Sequence, residues 1–210
     1  LFASLTSCTA KKSSEVGEVE SKDTSFIVNY LGQDYSFDKK VENIVLASLE
    51  GMEDAAVLGI KASGVLEVAG QVPKYLADDF KDVTLVGDKM KPNAEVILGL
   101  NPDVIIGSSK LSEEVMAQLN KIAVTLPYSH ISANWKDNLL ALGEITDKKD
   151  EANKLISDYE EKSLKAKEDI KNKYKDQNIL VIRVRRGLMY VYPADVYLNP
   201  VLYTDLGLKI

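Results

Sequence analysis

Between Asp147 and Asp176 the residues Ala152, Leu155, Ile156, Tyr159, Ser163, Ala166, Ile170 and Tyr174 recur three or four apart, while 18 of the 30 residues are charged. That is the signature of one long amphipathic helix with a single packing stripe. Thirty helical residues span about 45 Å, more than the width of a small domain, so the helix is expected to run beside one lobe and lead into another. The stripe drifts at 3.6 residues and not at the 3.5 of a sustained heptad, which argues against a free coiled-coil arm. Any fold for this chain has to be arranged around that rod.

N-terminal to it, short β-favouring runs alternate with helical ones. Strands are expected at Phe26–Tyr30, Ile44–Ala47, 64–68, 83–87, 104–107 and 123–126. Helices are expected at Leu49–Leu58, 73–80, Ala94–Leu100 behind an Asn93 cap, 112–121 and 134–143. Such alternation implies a parallel sheet with helices on both faces. After the rod come strands at 179–185 and 188–192 and a helix over 196–206, too little chain for a self-sufficient lobe. The expected class is therefore α/β, with two Rossmann-like lobes built on parallel sheets and joined by one long rigid helix, the second lobe incomplete. Lobe boundaries fall at 25–145, 146–176 and 177–210.

Residues 1–7 are apolar or small, stop at Cys8, and give way to the Lys-, Ser- and Glu-rich stretch 9–24. The apolar run is too short to span a bilayer and reads as the end of a secretory signal. Leu5-Thr6-Ser7-Cys8 resembles the lipobox of bacterial lipoproteins, in which the Cys becomes the acylated first residue; residues 9–24 then form a tether with too few apolar side chains to order itself. A net charge of −6 and a pI near 5.0 argue against a nucleic-acid partner. With Cys8 and His130 the sole Cys and His, a disulfide framework, a zinc ribbon and a His-rich metal cage are excluded. No G-x-S-x-G, H-E-x-x-H, P-loop or G-x-G-x-x-G motif occurs, and any Ser-His relay would have to use His130, so the sequence offers no support for an enzyme.

The stretch from Val86-Gly87 through Pro92-Asn93-Ala94-Glu95 to Leu100-Asn101-Pro102-Asp103-Val104-Ile105-Ile106 is similar to the V-G…P-N/D-x-E…L-x-P-D-x-I-I pattern of the substrate-binding lipoproteins of ABC importers for ferric siderophores, haem and cobalamin. The resemblance extends over nearly everything after residue 25. It implies a monomeric extracytoplasmic receptor, lipid-anchored at Cys8, that captures a ferric siderophore without resident cofactor or chemistry and delivers it to an ABC permease. It further implies that Glu95 docks on the permease. Independently, Glu95 suits a helix N-terminus.

In open α/β sheets the ligand lies outside the carboxyl ends of the strands, here 47–51, 67–71, 88–90, 107–110, 128–130 and 183–187. Arg185 and Arg186 are the foremost ligand candidates, because a guanidinium offers two directed donors to anionic chelate oxygens. Strand alternation puts Arg183 and Arg185 on one face and Arg186 on the other. Tyr190, Tyr192 and Tyr197 could pack on a chelate, and Met90 and Tyr128 stand at other strand ends. The resemblance leaves haem as the alternative ligand, with Met90 and His130 as possible axial groups. A lipid-anchored adhesin is the remote alternative.

Overall fold

The computed structural model describes residues 25–171 and 173–210. The lipobox at Cys8 and the 9–24 tether lie outside the described residues. The chain enters through a hairpin of β1 (Phe26–Tyr30) and β2 (Gln33–Phe37), closed by Leu31-Gly32 with φ of 49° and 82°. Strand β2 has no counterpart among the strands expected from the sequence.

The central sheet is assembled from β3 (Ile44–Ala47), β4 (Gly64–Glu67), β5 (Thr84–Asp88), β6 (Lys91–Pro92), β7 (Val104–Ser108) and β8 (Val124–Tyr128), in the order β6-β5-β4-β3-β7-β8. All neighbours pair in parallel except β6, which folds back on β5. Between them run α1 (Leu49–Leu58), α2 (Ala94–Leu100) and α3 (Glu113–Asn120), with α4 (Trp135–Ile145) after β8. Side chains alternate across the sheet as pleating requires. Ile44, Leu46, Val104 and Ile106 pack with α1, α4 and the entry hairpin, whereas Val45, Ala47 and Ile105 pack with α2 and α3. Burying both faces explains why β3 and the Val104–Ile106 run of β7 are apolar.

Caps fix the helix starts. Ser48, Asn93 and Ser112 each accept a backbone N–H of the first turn through the side chain. The Leu100-Asn101-Pro102-Asp103 motif is structural: Asp103 Oδ2 accepts the backbone N–H of both Glu42 and Asn43 at 2.9 Å, its Oδ1 meets Lys39 Nζ at 2.6 Å, and Asn43 Nδ2 donates to the Leu100 and Asn101 carbonyls. This ties the entry of β3 to the entry of β7.

Three expected elements differ. The 73–80 helix is a single 3-10 turn, Lys74–Leu76: only Leu76 and Phe80 anchor it, and Asp78-Asp79 between them favour a turn. The rod, α5 (Lys149–Lys171), has 23 residues, about 35 Å. It starts late because Asp147 takes the left-handed conformation (φ 59°), and residues 173–176 are turns. Helix α5 folds back antiparallel on α4. Gly143 at the end of α4 lies so close to the start of α5 that a Cβ there would stand 2.8 Å from that of Ala152, while Trp135 at the start of α4 meets Tyr159 edge-on at 4.8 Å. No helix among the described residues is long and apolar enough to cross a membrane.

Beyond α5, β9 (Ile182–Arg185) and β10 (Leu188–Val191) form an antiparallel hairpin, not successive parallel strands, because Arg186-Gly187, with φ of 51° and 76°, makes a two-residue turn. Parallel pairing in this part is the bridge of Asn178 to Lys209, with the Ile179 N–H donating to the Lys209 carbonyl at 2.7 Å. The helix expected over 196–206 is a six-residue π-helix, Pro200–Asp205. Pro200 lacks the N–H needed to extend it backwards, and Tyr197 (φ 56°) is left-handed. Tyr159 of α5 donates to Asp205 Oδ2 at 2.5 Å, seating this turn on the rod.

Candidate functional site

A cleft of about 540 Å³ opens between the carboxyl ends of β3, β7 and β8 and residues 195–201. Its position follows from strand order: the chain steps outward from β3 through β4 and β5, then returns to β7 on the other flank of β3, leaving a crevice where the direction reverses.

One wall is the first turns of α1. Glu50, Glu53 and Asp54 share a helix face at i, i+3 and i+4 and all line the cleft. Glu53 accepts the Tyr75 hydroxyl at 2.5 Å. Asp54 is half-buried, and its Oδ2 is buried without a hydrogen-bond partner. Burial pushes its pKa up to about 7; the Glu53 and Glu50 carboxylates push the same way, and the neighbouring Tyr128 hydroxyl partly offsets them.

The floor is a buried polar network. Tyr30 reaches across from β1, accepting the Ser129 N–H at 2.6 Å and donating to Asn138 Oδ1 at 2.7 Å. Asn138 Nδ2 donates to the Ser129 carbonyl at 2.9 Å, and the Tyr128 hydroxyl donates to the Asn138 carbonyl. The ring of Tyr30 stacks on that of Tyr128 at 5.8 Å. Burial raises both phenol pKa values, that of Tyr30 to about 12.

The rim carries Lys110 and His130. Ser109 Oγ accepts the backbone N–H of His130 at 3.2 Å and lies 2.8 Å from its Nδ1. Partial burial and the Lys110 charge lower the imidazole pKa.

The opposite lip is held by Asn199, buried in the fold, whose Nδ2 donates to the Tyr192 and Pro193 carbonyls. Ser132 donates to the Asp195 carbonyl at 3.3 Å, joining lip to rim. Tyr197 lines the cleft and accepts from Arg183 Nη1 at 2.9 Å, with the guanidinium 5.4 Å from the ring centre. The Tyr192 hydroxyl, then the Arg183 and Lys110 charges, hold the Tyr197 phenol below its usual pKa. Tyr192 meets Tyr197 edge-on at 4.5 Å, and Tyr190 stacks on Tyr192 at 6.3 Å. Lys110 and the Tyr197 phenol thus face a cleft whose α1 wall carries the carboxyls of Glu50, Glu53 and Asp54, with Asp195 on the lip.

Of the strand ends expected to face a ligand, those after β3, β7 and β8 line the cleft, and those after β4 and β5, on the far half of the sheet, do not. Hairpin register puts Tyr190 opposite Arg183 and Leu188 opposite Arg185, so the two arginines and Tyr190 share one face, and a row runs from Arg183 through Tyr192 to Tyr197 at the lip. Arg185 and Arg186 are exposed and stand outside the cleft lining, Arg186 in the turn itself. Tyr128 requires correction as a ligand contact: its side chain is fully buried in the core. Met90 sits in the β5–β6 turn, where Asp88 Oδ1 accepts its N–H, 53% exposed and outside the cleft that His130 lines. The two are not brought together as an axial pair. Glu95 is exposed on the first turn of α2. Asp54, Asn138 and Asp195 are not among the residues expected from the sequence; the i, i+4 spacing of Asp54 from Glu50, which lies within the β3 strand end, is the available signal for the first.

Residues 44–209 match the model of a family described as periplasmic binding protein. The iron-uptake system-binding protein of Bacillus subtilis (strain 168) is 40% identical over 206 residues, 96% of this chain and 62% of the relative. The probable siderophore-binding lipoprotein YfiY of the same organism is 34% identical over 210 residues, 98% and 63% of the respective chains. The crystal structure of the triscatecholate siderophore binding protein FeuA from Bacillus subtilis, complexed with ferri-bacillibactin, superposes with a TM-score of 0.78 at 39% identity, covering 88% of this chain and 65% of that one. The chain thus spans somewhat less than two thirds of the length of the curated relatives it matches.

Proposed function

The chain belongs to the periplasmic binding protein family, and from that premise we propose that it captures a ferric siderophore in the cleft at the ends of β3, β7 and β8 and passes it unchanged to an ABC permease. The observation that carries the proposal is the cleft itself, at the reversal of strand order, with Lys110 and His130 on one side and the Arg183-supported Tyr197 on the other. A ferric chelate with anionic oxygens suits those donors. The relatives named for iron uptake and siderophore binding point to the same class of cargo.

In this reading residues 25–145 form the first lobe, 146–176 contain the connecting rod and 177–210 begin the second lobe. Arg185 and Arg186, exposed at the tip of the β9–β10 hairpin, supply further cationic contacts to the chelate, with Tyr190 and Tyr192 behind them. Glu95 docks on the permease from the exposed start of α2. Cys8 carries the lipid that holds the receptor on the extracytoplasmic face of the membrane, in keeping with the lipoprotein name of YfiY. The receptor acts as a monomer.

Trp135 lines the cleft and reports directly on occupancy. Titration with ferri-bacillibactin, a ferric hydroxamate, ferric citrate and haemin is expected to quench its fluorescence saturably with one of the ferric siderophores. Flat traces with every siderophore, or saturation by haemin alone, would overturn the proposal.

A further inference from the structure

A cleft suited to an anionic chelate would be expected to avoid carboxylates, yet the α1 wall presents three. Glu50 and Glu53 have a way out, since neither is buried and Glu53 accepts a hydroxyl from Tyr75. Asp54 does not. Its Oδ2 is sealed from solvent without a hydrogen-bond partner; beside it Tyr30 donates to Asn138 Oδ1 and Asn138 Nδ2 to the Ser129 carbonyl, and the Tyr128 hydroxyl, the one donor next to the carboxyl, is shared with the Asn138 carbonyl.

An ionised carboxyl with an unpaired buried oxygen is costly, and an anion placed in the same cleft raises that cost further. The charged groups facing Asp54 do not neutralise it. Glu50 and Glu53 stand on its own helix and Asp195 on the lip, against Lys110 after β7, with His130 after β8 and Tyr197 as the remaining titratable groups of the lining. Only a proton removes the charge without moving the fold.

Building on the capture reading above, we propose that binding of an anionic ferric chelate in this cleft is coupled to uptake of one proton by Asp54, whose neutral carboxyl completes the ligand-bound site. The ligand-free group titrates near neutral pH, so the coupling acts in the physiological range. Above that range the free site is ionised and the occupied site is not, so affinity falls as pH rises. One proton per ligand sets a limiting slope of about tenfold per pH unit.

The test is calorimetric titration of the protein with ferri-bacillibactin, and in parallel with a ferric hydroxamate, from pH 6 to 9 in buffers of differing ionisation enthalpy. Wild type is expected to take up a fraction of a proton that grows between pH 7 and 8. Asp54→Asn, which keeps the shape and a neutral donor, is expected to lose the uptake and flatten the pH profile relative to wild type. That comparison cancels protonation of the chelate itself. His130→Gln is expected to leave the uptake in place. Binding with no proton uptake in wild type, or uptake abolished by His130→Gln and kept in Asp54→Asn, would overturn the inference while leaving capture intact. Failure of both probes and of ferric citrate to bind at any pH would overturn the capture reading and this inference with it. If Asp54→Asn fails to fold, Asp54→Ser takes its place in the same comparison.

Discussion

Replacing Tyr30 by Phe isolates one hydroxyl that links two parts of the chain 108 residues apart. Phe keeps the ring stacked on Tyr128 at 5.8 Å, so the apolar packing survives. What disappears is a junction that accepts the Ser129 N–H and donates to Asn138 Oδ1. Each orphaned buried group costs about 1–3 kcal/mol. Ser129 and Asn138 also line the cleft, where water can reach part of the site, so the lower half of the range applies and the sum is about 2–4 kcal/mol. For a chain of this size that corresponds to a fall in Tm of about 4–16 °C. Urea unfolding at pH 8, followed by far-ultraviolet circular dichroism, reads the difference. A double-mutant cycle with Asn138→Ala should return a coupling above about 1 kcal/mol, because the two side chains act on each other directly. A loss below about 0.5 kcal/mol for Tyr30→Phe would refute the reading of this network as the cement between β1 and the floor of the cleft.

The joint substitution Arg185→Ala and Arg186→Ala should weaken capture of an anionic ferric siderophore by about tenfold for each charge-assisted bond lost, measured by Trp135 quenching; unchanged affinity would remove the hairpin tip from the site. Glu95→Ala should leave affinity unchanged while abolishing stimulation of the reconstituted permease ATPase, and full stimulation would displace the docking point. For Asp103, burial acts to raise the pKa, but hydrogen bonds from Lys39 and from the Glu42 and Asn43 amides outweigh it and hold the carboxyl below its ordinary value. Its stabilising contribution is therefore complete above about pH 5 and is lost as pH falls through the acid range. Asp103→Asn should cost about 1–2 kcal/mol at pH 7, mostly through the two backbone amides, since Lys39 is largely exposed. It should also flatten the acid limb of the stability profile, and an unchanged limb would count against the suture between β3 and β7.

The sheet was legible because Ile44–Ala47 and Val104–Ile106 are apolar throughout, a pattern that two covered faces demand, and because Asn93 marks its helix. Strand β2 was not, since of Gln33–Phe37 only Tyr35 and Phe37 turn inward and the rest read as loop. Tyr128 was misjudged on position alone, although its two-residue spacing from the core residue Leu126 put it on the inner face. The cleft wall was half legible: Glu50 follows β3 directly, but the burial of Asp54 depends on Tyr30 and Tyr128 arriving from distant strands, and no local pattern records that. The hairpin at Arg186-Gly187 was missed because two β-favouring runs look alike whether they pair with each other or with strands elsewhere.

The antiparallel seat of α5 on α4, sealed where Gly143 admits Ala152 and where Trp135 meets Tyr159, settles the bearing of α5 as the chain leaves the central sheet. On the capture reading proposed above, orientation given up at this seam is given up during folding, and the ordering left to the encounter is correspondingly smaller.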